Sequence, residues 1–297
     1  MDPQQYSGPP PLVCRKKIFN LRARSYVVGV LNVTPDSFSD GGRFCHVETA
    51  VAHGLQMAEA GADVIDVGGE STRPGAKSVN MQTELDRVVP VVRELASRTG
   101  VPLSVDTTKA EVARQALEAG ADIINDVSAL RFDPDMAALA ADQQVPVVLM
   151  HMRGTPATMQ RDTGYANLVD EIYAFLQERI EAAVGGGIAR ERIVVDPGIG
   201  FGKSVQNDNF TILHHLDSFV QLGCALMIGP SRKAFIGSVV KREAGGRDEG
   251  TAAAVAVGVY NGAHFVRVHN VGMMQMVCRI VDAIKQADVD GASEDRG

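Results

Sequence analysis

The chain of 297 residues contains no tryptophan and only four cysteines, and these scarcities exclude several protein classes. Cys14, Cys45, Cys224 and Cys278 show no CxxC pair and no regular spacing, so we expect free thiols in a reducing compartment. The first eleven residues are polar and proline-rich, unlike a secretory signal. The longest run of small apolar residues, at 252–259, is far too short to cross a bilayer. These features predict a cytoplasmic enzyme that does not bind a membrane.

The chain also lacks a block of positive charge. Its 29 Lys and Arg residues are scattered among 36 Asp and Glu residues, for a formal net charge of −7. Nucleic-acid binding requires clustered cations, so we exclude a nucleic-acid partner. An anionic ligand would have to be held by local cations and backbone amides against the overall field.

Eight short apolar segments alternate with longer amphipathic ones, which is the pattern of buried parallel strands between helices. The predicted strands are residues 26–33, 62–67, 102–106, 122–126, 146–151, 193–196, 225–228 and 264–269. Eight strand–helix units predict an α/β fold with a single (β/α)8 TIM barrel, over residues 23–286. A doubly wound open sheet is the alternative, but residues 29–42 contain no GxGxxG. Residues 1–22 and 287–297 lack periodicity and are predicted to be flexible tails.

Polar residues stand at the C-terminal end of nearly every predicted strand. They are Asn32, Asp66, Asp106, Asn125, Asp126, His151, Asp196, Ser231, Arg267 and His269. A single Asp or Asn at such a place often caps the following helix. Because the C-terminal mouth of a barrel gathers catalytic groups, eight polar strand ends together favour a site there.

The loops after the strands point to an anionic group. Residues 32–42 and 68–75 are predicted to form long loops rich in Gly, Ser, Asp and Pro, a composition that suits loops closing over a ligand. Ordinary solvent-exposed connections can have the same composition. Residues 196–203 and 229–234 are glycine-rich and lie beside Arg232, Lys233, Arg267 and His269. In a barrel the loops after the last strands frequently bind phosphate, so we expect a phosphorylated substrate.

Several catalytic motifs are missing. The sequence has no HExxH, no Cys/His cluster and no GxSxG elbow, which excludes the usual zinc sites and a serine nucleophile of that kind. We therefore expect any metal to be Mg2+, bound through oxygen ligands and substrate phosphates.

Eight segments together resemble the dihydropteroate synthases, over nearly all of residues 27–285. They are residues 31–42, 66–75, 105–107, 124–126, 149–152, 196–203, 231–233 and 267–269. The resemblance implies condensation of 6-hydroxymethyl-7,8-dihydropterin pyrophosphate with 4-aminobenzoate, giving 7,8-dihydropteroate and pyrophosphate.

The resemblance also implies roles for particular residues. The pterin would be held by Asp106, Asn125, Asp196 and Lys233. Asn32 would bind Mg2+, and the pyrophosphate would be bound by Asn32, Thr72, Arg267 and His269. The 4-aminobenzoate would be bound by Arg73, Pro74 and Phe201. Catalytic roles would fall to Asp40, which would lie close to the developing cation, and to Arg73 and Lys233.

These residue types suit that chemistry. A carboxylate and an amide can match the donors and acceptors on a pterin edge, and cations improve pyrophosphate as a leaving group. On this assignment, Arg267→Ala should weaken binding of the pterin pyrophosphate but not of a pterin without the pyrophosphate group. Asp196→Ala should weaken the binding of both ligands.

Two positions depart from the family pattern. Asn270 stands where aspartate is expected, so a contact behind the site should differ. Ala234 stands where many relatives carry a hydroxyl that helps to hold the aminobenzoate carboxylate, so helix amides would have to suffice.

Two other functions compete with this interpretation. A methyltetrahydrofolate-dependent methyltransferase would share the barrel and the pterin carboxylates but has no use for a pyrophosphate site. A non-catalytic pterin-binding paralogue would be expected to lose Asp40, Arg73 or Lys233, and all three are present.

One helical stretch predicts assembly. Residues 251–260 are apolar around most of the helix circumference, more than one outer barrel helix needs. Burial beneath a neighbouring helix would also explain this pattern. Together with the family resemblance, the stretch predicts a homodimer with this region at its interface.

Overall fold

The computed structural model describes residues 8–15, 17–34, 43–72, 75–76 and 78–290, leaving out the side chains of 43–45 and 288–290. A two-stranded hairpin, β1 (Leu12–Val13) and β2 (Ile18–Phe19), precedes eight parallel strands that close into a barrel. These strands are β3 (Tyr26–Asn32), β4 (Val64–Gly68), β5 (Leu103–Asp106), β6 (Ile123–Asp126), β7 (Val147–Met150), β8 (Ile193–Asp196), β9 (Ala225–Ile228) and β10 (Phe265–Val268). The predicted TIM barrel is confirmed, and every strand lies within one of the predicted segments or overlaps most of it.

Ten helices surround the barrel in the part of the chain described. They are α1 (Arg43–Glu59), α2 (Met81–Arg98), α3 (Ala110–Ala119), α4 (Met136–Gln143), α5 (Leu168–Gly185), α6 (Asp208–His214), α7 (Leu216–Val220), α8 (Ala234–Val240), α9 (Asp248–Tyr260) and α10 (Val271–Asp290). Helix α2 illustrates why they form, since Asn80 caps it by accepting from the Thr83 N–H at 2.8 Å. Its Leu85, Val88, Val92 and Leu95 recur at helical spacing and are buried against the sheet. None of the described helices is long and apolar enough to cross a membrane.

The prediction of a loose tail over residues 1–22 is wrong for its described part. The hairpin places Leu12 and Phe19 under the barrel, where they are 1% and 0% exposed. The Phe19 ring meets the rings of Tyr26 and Phe265 edge-on, at centroid distances of 4.9 and 5.3 Å. The hairpin therefore plugs the N-terminal end of the barrel with apolar side chains. At the other end of the chain, α10 runs to Asp290, and residues 291–297 lie outside the described residues.

The barrel interior changes from apolar to polar along its axis. Residues two apart on a strand face the same side, so the inward residues stack in layers. The lower layers are apolar and include Val28, Val64, Ile123, Val194 and Phe265. Two residues further along their strands, the inward positions carry Asp66, Asn125, Asp196 and Arg267. This polar layer forms the floor of the C-terminal mouth.

Candidate active site in the barrel mouth

A guanidinium joins two carboxylates at the centre of the polar layer. Arg267 on β10 donates from Nε to Asp66 Oδ2 at 2.7 Å and from Nη2 to Asp106 Oδ2 at 2.8 Å. Asn125 donates from Nδ2 to the same Asp66 oxygen at 2.9 Å. Asp106 and Asn125 are register partners on adjacent strands, which brings them side by side. Three predicted site residues, Asp106, Asn125 and Arg267, are thus brought together.

The charges in this cluster do not balance, since two carboxylates share one guanidinium. Burial raises the pKa of Asp106 to about 7; Arg267 opposes the rise and the Asp66 carboxylate adds to it. Burial disfavours the charge on Arg267, but the two carboxylates outweigh it and keep its pKa above the usual value. The buried Oδ1 of Asp66 has no hydrogen-bond partner among the described residues. The cluster therefore has spare acceptor capacity that a ligand with N–H donors could use.

Asp196 and Lys233 form the second part of the site. Asp196, which is 4% exposed, accepts from the Gly198 N–H at 2.7 Å. Burial raises the pKa of Asp196, against the attraction of Lys233. Lys233 donates from Nζ to the Ile199 carbonyl, and burial lowers its pKa to about 8. Lys233 Nζ also lies 4.6 Å from the centroid of the Phe201 ring, so the loop after β8 and the loop after β9 share one wall.

His269 lies at the edge of the mouth, beside Ser231. The two are joined by a 2.9 Å hydrogen bond between Ser231 Oγ and His269 Nδ1, and the same hydroxyl accepts from the His269 backbone N–H at 3.2 Å. Of the cations that the sequence gathers here, Arg232 is engaged elsewhere, since it binds both oxygens of Asp248 at 2.7 and 2.9 Å.

The two departures from the family pattern have clear positions. Asn270 donates to Asp248 at 3.0 Å and accepts from the Met273 N–H at 3.2 Å, so it caps α10 and braces the Arg232–Asp248 pair. Ala234 is exposed and begins α8, whose start has no side-chain cap.

Other predicted residues are placed with less detail. Asn32 ends β3, where its Cα register partner is Gly68, and Thr72 follows β4; both are half-buried. Asp40, Arg73 and Pro74 lie outside the described residues. Their roles, and the division of the pocket among the other residues, stay predictions.

Three residues that contribute to the site received no role from sequence reasoning. Asp66 is the second carboxylate on Arg267, and its position two residues past the buried Val64 could have identified it as inward-facing. Lys203 and His151 form a buried pair, with 2.7 Å between Lys203 Nζ and His151 Nδ1. Lys203 is only 1% exposed, so it does not face an anion in the mouth. No sequence signal marks this partnership.

The described residues also bear on a metal. Among them, no three His, Cys, Asp or Glu side chains form a group that could hold a metal ion. Asn32 can still offer an amide oxygen, and Mg2+ commonly takes one or two protein oxygens and completes its shell with substrate phosphates and water. The described donor set thus fits a metal carried mainly by a phosphorylated substrate.

The arrangement can hold a flat polar ring and neutralise an anion beside it. The carboxylates and Asn125 offer acceptors and a donor deep in the mouth, and the cationic side chains Lys233 and Arg267 border them. Together these groups can hold two substrates side by side in one pocket, which favours a reaction between two bound substrates.

Comparison with known proteins identifies what the chain is similar to. The family model for pterin-binding enzymes matches residues 28–269. A dihydropteroate synthase from Synechocystis is 44% identical over 277 residues, which cover 93% of this chain and 96% of that protein.

Solved structures agree with this match. A crystal structure of Yersinia pestis dihydropteroate synthase in a sulfonamide drug complex superposes with a TM-score of 0.88 at 42% identity, covering 93% of this chain and all of that one. Xanthomonas albilineans dihydropteroate synthase with 4-aminobenzoic acid gives a TM-score of 0.87 at 47% identity, over 93% and 98% of the two chains.

Proposed function

Because the chain belongs to the family of pterin-binding enzymes, we propose that it is a dihydropteroate synthase. It joins 6-hydroxymethyl-7,8-dihydropterin pyrophosphate to 4-aminobenzoate and releases 7,8-dihydropteroate and pyrophosphate. The observation that carries this proposal is the inward-facing polar layer, in which Asp66, Asp106, Asn125 and Arg267 form one connected cluster. The Asp66 Oδ1 of this cluster, unpaired among the described residues, can accept a hydrogen bond from an N–H donor, and the edge of a pterin supplies such donors.

The pterin is held between the two parts of the site. Asp106 and Asn125 bind it from one side, and Asp196 and Lys233 from the other. Supporting this, all four side chains are buried or half-buried. Burial strengthens each hydrogen bond, because water does not compete for the donors.

The pyrophosphate is bound by Asn32, Thr72 and His269 and, from the floor of the mouth, by Arg267. These residues offer cationic and hydrogen-bonding groups that neutralise the leaving group as its bond to carbon lengthens. Asn32 would hold Mg2+, which would supply further positive charge to the leaving group.

Bond breaking and bond making take place at the methylene carbon outside the ring. The carbon–oxygen bond to pyrophosphate breaks, the aryl amine forms the new carbon–nitrogen bond, and the amine loses one proton. Asp40 stabilises the positive charge that develops beside the ring. Phe201, with Arg73 and Pro74, orients the aminobenzoate for attack, and the 4-aminobenzoic acid complex of the Xanthomonas albilineans relative supports such a subsite.

A turnover assay tests this function directly. Purified protein is given both substrates with Mg2+, and dihydropteroate is measured by chromatography alongside an Asp196→Asn variant as a control. We expect product from the wild-type chain and a large loss in the variant. Methyl transfer from methyltetrahydrofolate would instead identify a methyltransferase. Pterin binding without turnover would identify a non-catalytic paralogue.

The protein is also a homodimer in the cytoplasm. In α9, Val257 and Tyr260 are 48% and 58% exposed on an apolar face. On α10, which packs against α9, Met276, Ile280 and Ile284 are more than half exposed and recur every four residues. Exposed apolar side chains on two helices that pack together support a protein interface. The described cysteines, Cys14, Cys224 and Cys278, are buried thiols, which supports a reducing compartment.

A further inference from the structure

A buried lysine closes the loop after β8 on itself. This loop, residues 197–202, connects Asp196 to Lys203, and the Lys203 side chain folds back over its own loop. Lys203 Nζ lies 2.8 Å from the Pro197 carbonyl at the loop start. It also lies 2.7 Å from His151 Nδ1 and 3.3 Å from the His151 carbonyl, just past β7. The lysine thus ties both ends of the loop to the neighbouring strand.

The loop leaves little room to adopt another path. Gly198 has a φ of +70°, and a Cβ there would lie 1.9 Å from the His151 carbonyl oxygen. The loop therefore packs directly on the backbone that Lys203 also binds. Side chains tie its outer surface as well, since Tyr165 donates to the Gly202 carbonyl at 2.8 Å and Gln160 to the Gly200 carbonyl at 3.2 Å.

The same loop carries part of the pocket wall. Its Ile199 carbonyl accepts from Lys233, and its Phe201 ring lies 4.6 Å from that ammonium. Its Gly198 N–H donates to Asp196. A shift of the loop would therefore move the Phe201 ring and disturb Lys233 and Asp196 together.

We propose that Lys203 is a positioning residue that, through His151 and the Pro197 carbonyl, fixes the loop carrying Phe201 and so sets the affinity for the aryl-amine substrate. The identity of that substrate rests on the proposed function. The reason for a buried lysine here is geometric. Its long side chain brings one nitrogen within hydrogen-bond distance of the Pro197 and His151 carbonyls and of His151 Nδ1, and 1% exposure keeps water from replacing these contacts. Burial also lowers the pKa of His151 to about 2, so its imidazole stays neutral and can accept at Nδ1.

Four variants test the clasp, which is the set of hydrogen bonds that joins Lys203 to His151 and to the Pro197 carbonyl. Lys203→Met keeps an unbranched side chain, one atom shorter than lysine, but removes its hydrogen bonds. His151→Leu removes the ring acceptor, whereas His151→Asn, of nearly the same shape as leucine, offers Oδ1 in its place. Val92→Ala on α2 is the control for general destabilisation, since Val92 is buried on an outer helix away from the loop.

Steady-state kinetics supply the first readout. We expect Lys203→Met and His151→Leu to raise KM for 4-aminobenzoate about tenfold, and His151→Asn and Val92→Ala to leave it within about twofold. Phe201→Ala should raise the same KM in the wild-type background, but much less in the Lys203→Met background, because the ring is already misplaced there. Independent, multiplying effects of Lys203→Met and Phe201→Ala would overturn the proposal, as would a KM in Lys203→Met equal to that in Val92→Ala.

Amide hydrogen exchange supplies a readout that does not depend on turnover. The N–H groups of Gly200 and Phe201 are hydrogen-bonded, at 2.6 Å to Asn209 Oδ1 and 3.0 Å to the Gly198 carbonyl. Their exchange should quicken at least tenfold in Lys203→Met and His151→Leu but not in His151→Asn. Unchanged exchange would refute the clasp even if the wild-type chain proved inactive. If the wild-type chain is inactive but the loop of Lys203→Met and His151→Leu exchanges faster than that of the wild type, only the proposed function is refuted.

Discussion

Replacing Arg267 with alanine should weaken the binding of a pterin that carries no pyrophosphate, as well as the binding of the pterin pyrophosphate. The sequence alone predicts that only the pterin pyrophosphate would bind more weakly, because it assigns Arg267 to the leaving group. The structure gives a reason for the wider effect. The guanidinium lies 2.8 Å from Asp106, a residue proposed to bind the ring, and 2.7 Å from Asp66.

The size of the effect follows from the charge that is lost. A unit charge about 4 Å away contributes about 4 kcal/mol at an effective dielectric constant of about 20. Even a third of that raises the pKa of Asp106 by about one unit, since one unit corresponds to about 1.4 kcal/mol. Asp106 starts from a pKa of about 7, so the variant would hold it protonated at neutral pH. A protonated carboxyl cannot accept two N–H donors as the carboxylate does, so affinity falls.

The dependence on pH makes this prediction specific. At pH 6, below both pKa values, each unit of rise lowers the ionised fraction of Asp106 and hence the affinity about tenfold. The loss should shrink as the pH is raised towards the new pKa. Calorimetric titration of 6-hydroxymethyl-7,8-dihydropterin at pH 6 and 7.5, in buffers of different ionisation enthalpy, measures both the affinity and the protons released. At pH 7.5, a rise of one unit should make Arg267→Ala release about 0.8 proton per pterin bound, against about 0.2 for the wild type.

A second substitution supplies the control. The Asp66 carboxylate raises the pKa of Asp106, so Asp66→Asn in the Arg267→Ala background should lower that pKa and reduce the number of protons released per pterin bound at pH 7.5. Suppose instead that Arg267→Ala binds the bare pterin within about twofold of the wild type at pH 6, with no extra proton release, and loses only the pyrophosphate ligand. The coupling between Arg267 and Asp106 would then be refuted, and the simpler division of the pocket would stand.

Three further predictions concern other parts of the molecule. Sulfonamides should compete with 4-aminobenzoate for the subsite proposed beside Phe201, and non-competitive inhibition would contradict that subsite. Light scattering at micromolar concentration should give a dimer mass that Ile280→Glu reduces to a monomer; a monomeric wild type would rule out the proposed interface. Burial lowers the pKa of His264 from 6.5 to about 4, so its contribution is present above pH 6.5 and is lost as the pH falls towards 4. His264→Asn keeps an acceptor for the Leu226 N–H but cannot titrate, so between pH 7 and 4.5 it should lose about 2 kcal/mol less stability to urea unfolding than the wild type; equal losses would exclude the effect.

The barrel strands could be predicted because burial on both faces makes them continuous apolar segments. Residues 193–196 and 225–228 are predicted with the bounds the structure gives. The hairpin of β1 and β2 could not be predicted, because strands of two residues carry no period. Its burial depends on a tertiary fact, the open N-terminal end of the barrel, which only the closed sheet reveals.

In the site, too, the sequence alone does not tell which of two adjacent polar residues faces the barrel interior. The sequence marks Asn125 and Asp126 equally as a polar strand end, yet their functions separate. Asn125 shares its side of β6 with the interior Ile123 and contacts Asp66, whereas Asp126 accepts from the Ser128 and Leu130 N–H groups and shapes the following loop. Parity along the strand distinguishes them once one interior residue is known. Partnerships such as Lys203 with His151 follow from no spacing, because they depend on where two loops meet.

The Arg267 cluster is best understood as a binding device rather than a stabilising one. Buried ion pairs contribute little net stability, because desolvation offsets most of their attraction, and an apolar layer would fill the barrel as well. This layer instead retains two carboxylates for one guanidinium, and Asp66 Oδ1 lacks a partner among the described residues. An unpaired buried acceptor costs free energy until a donor reaches it. A ligand whose edge brings N–H donors into the mouth recovers that cost on binding, so the imbalance favours a donor-rich ring over a purely anionic ligand.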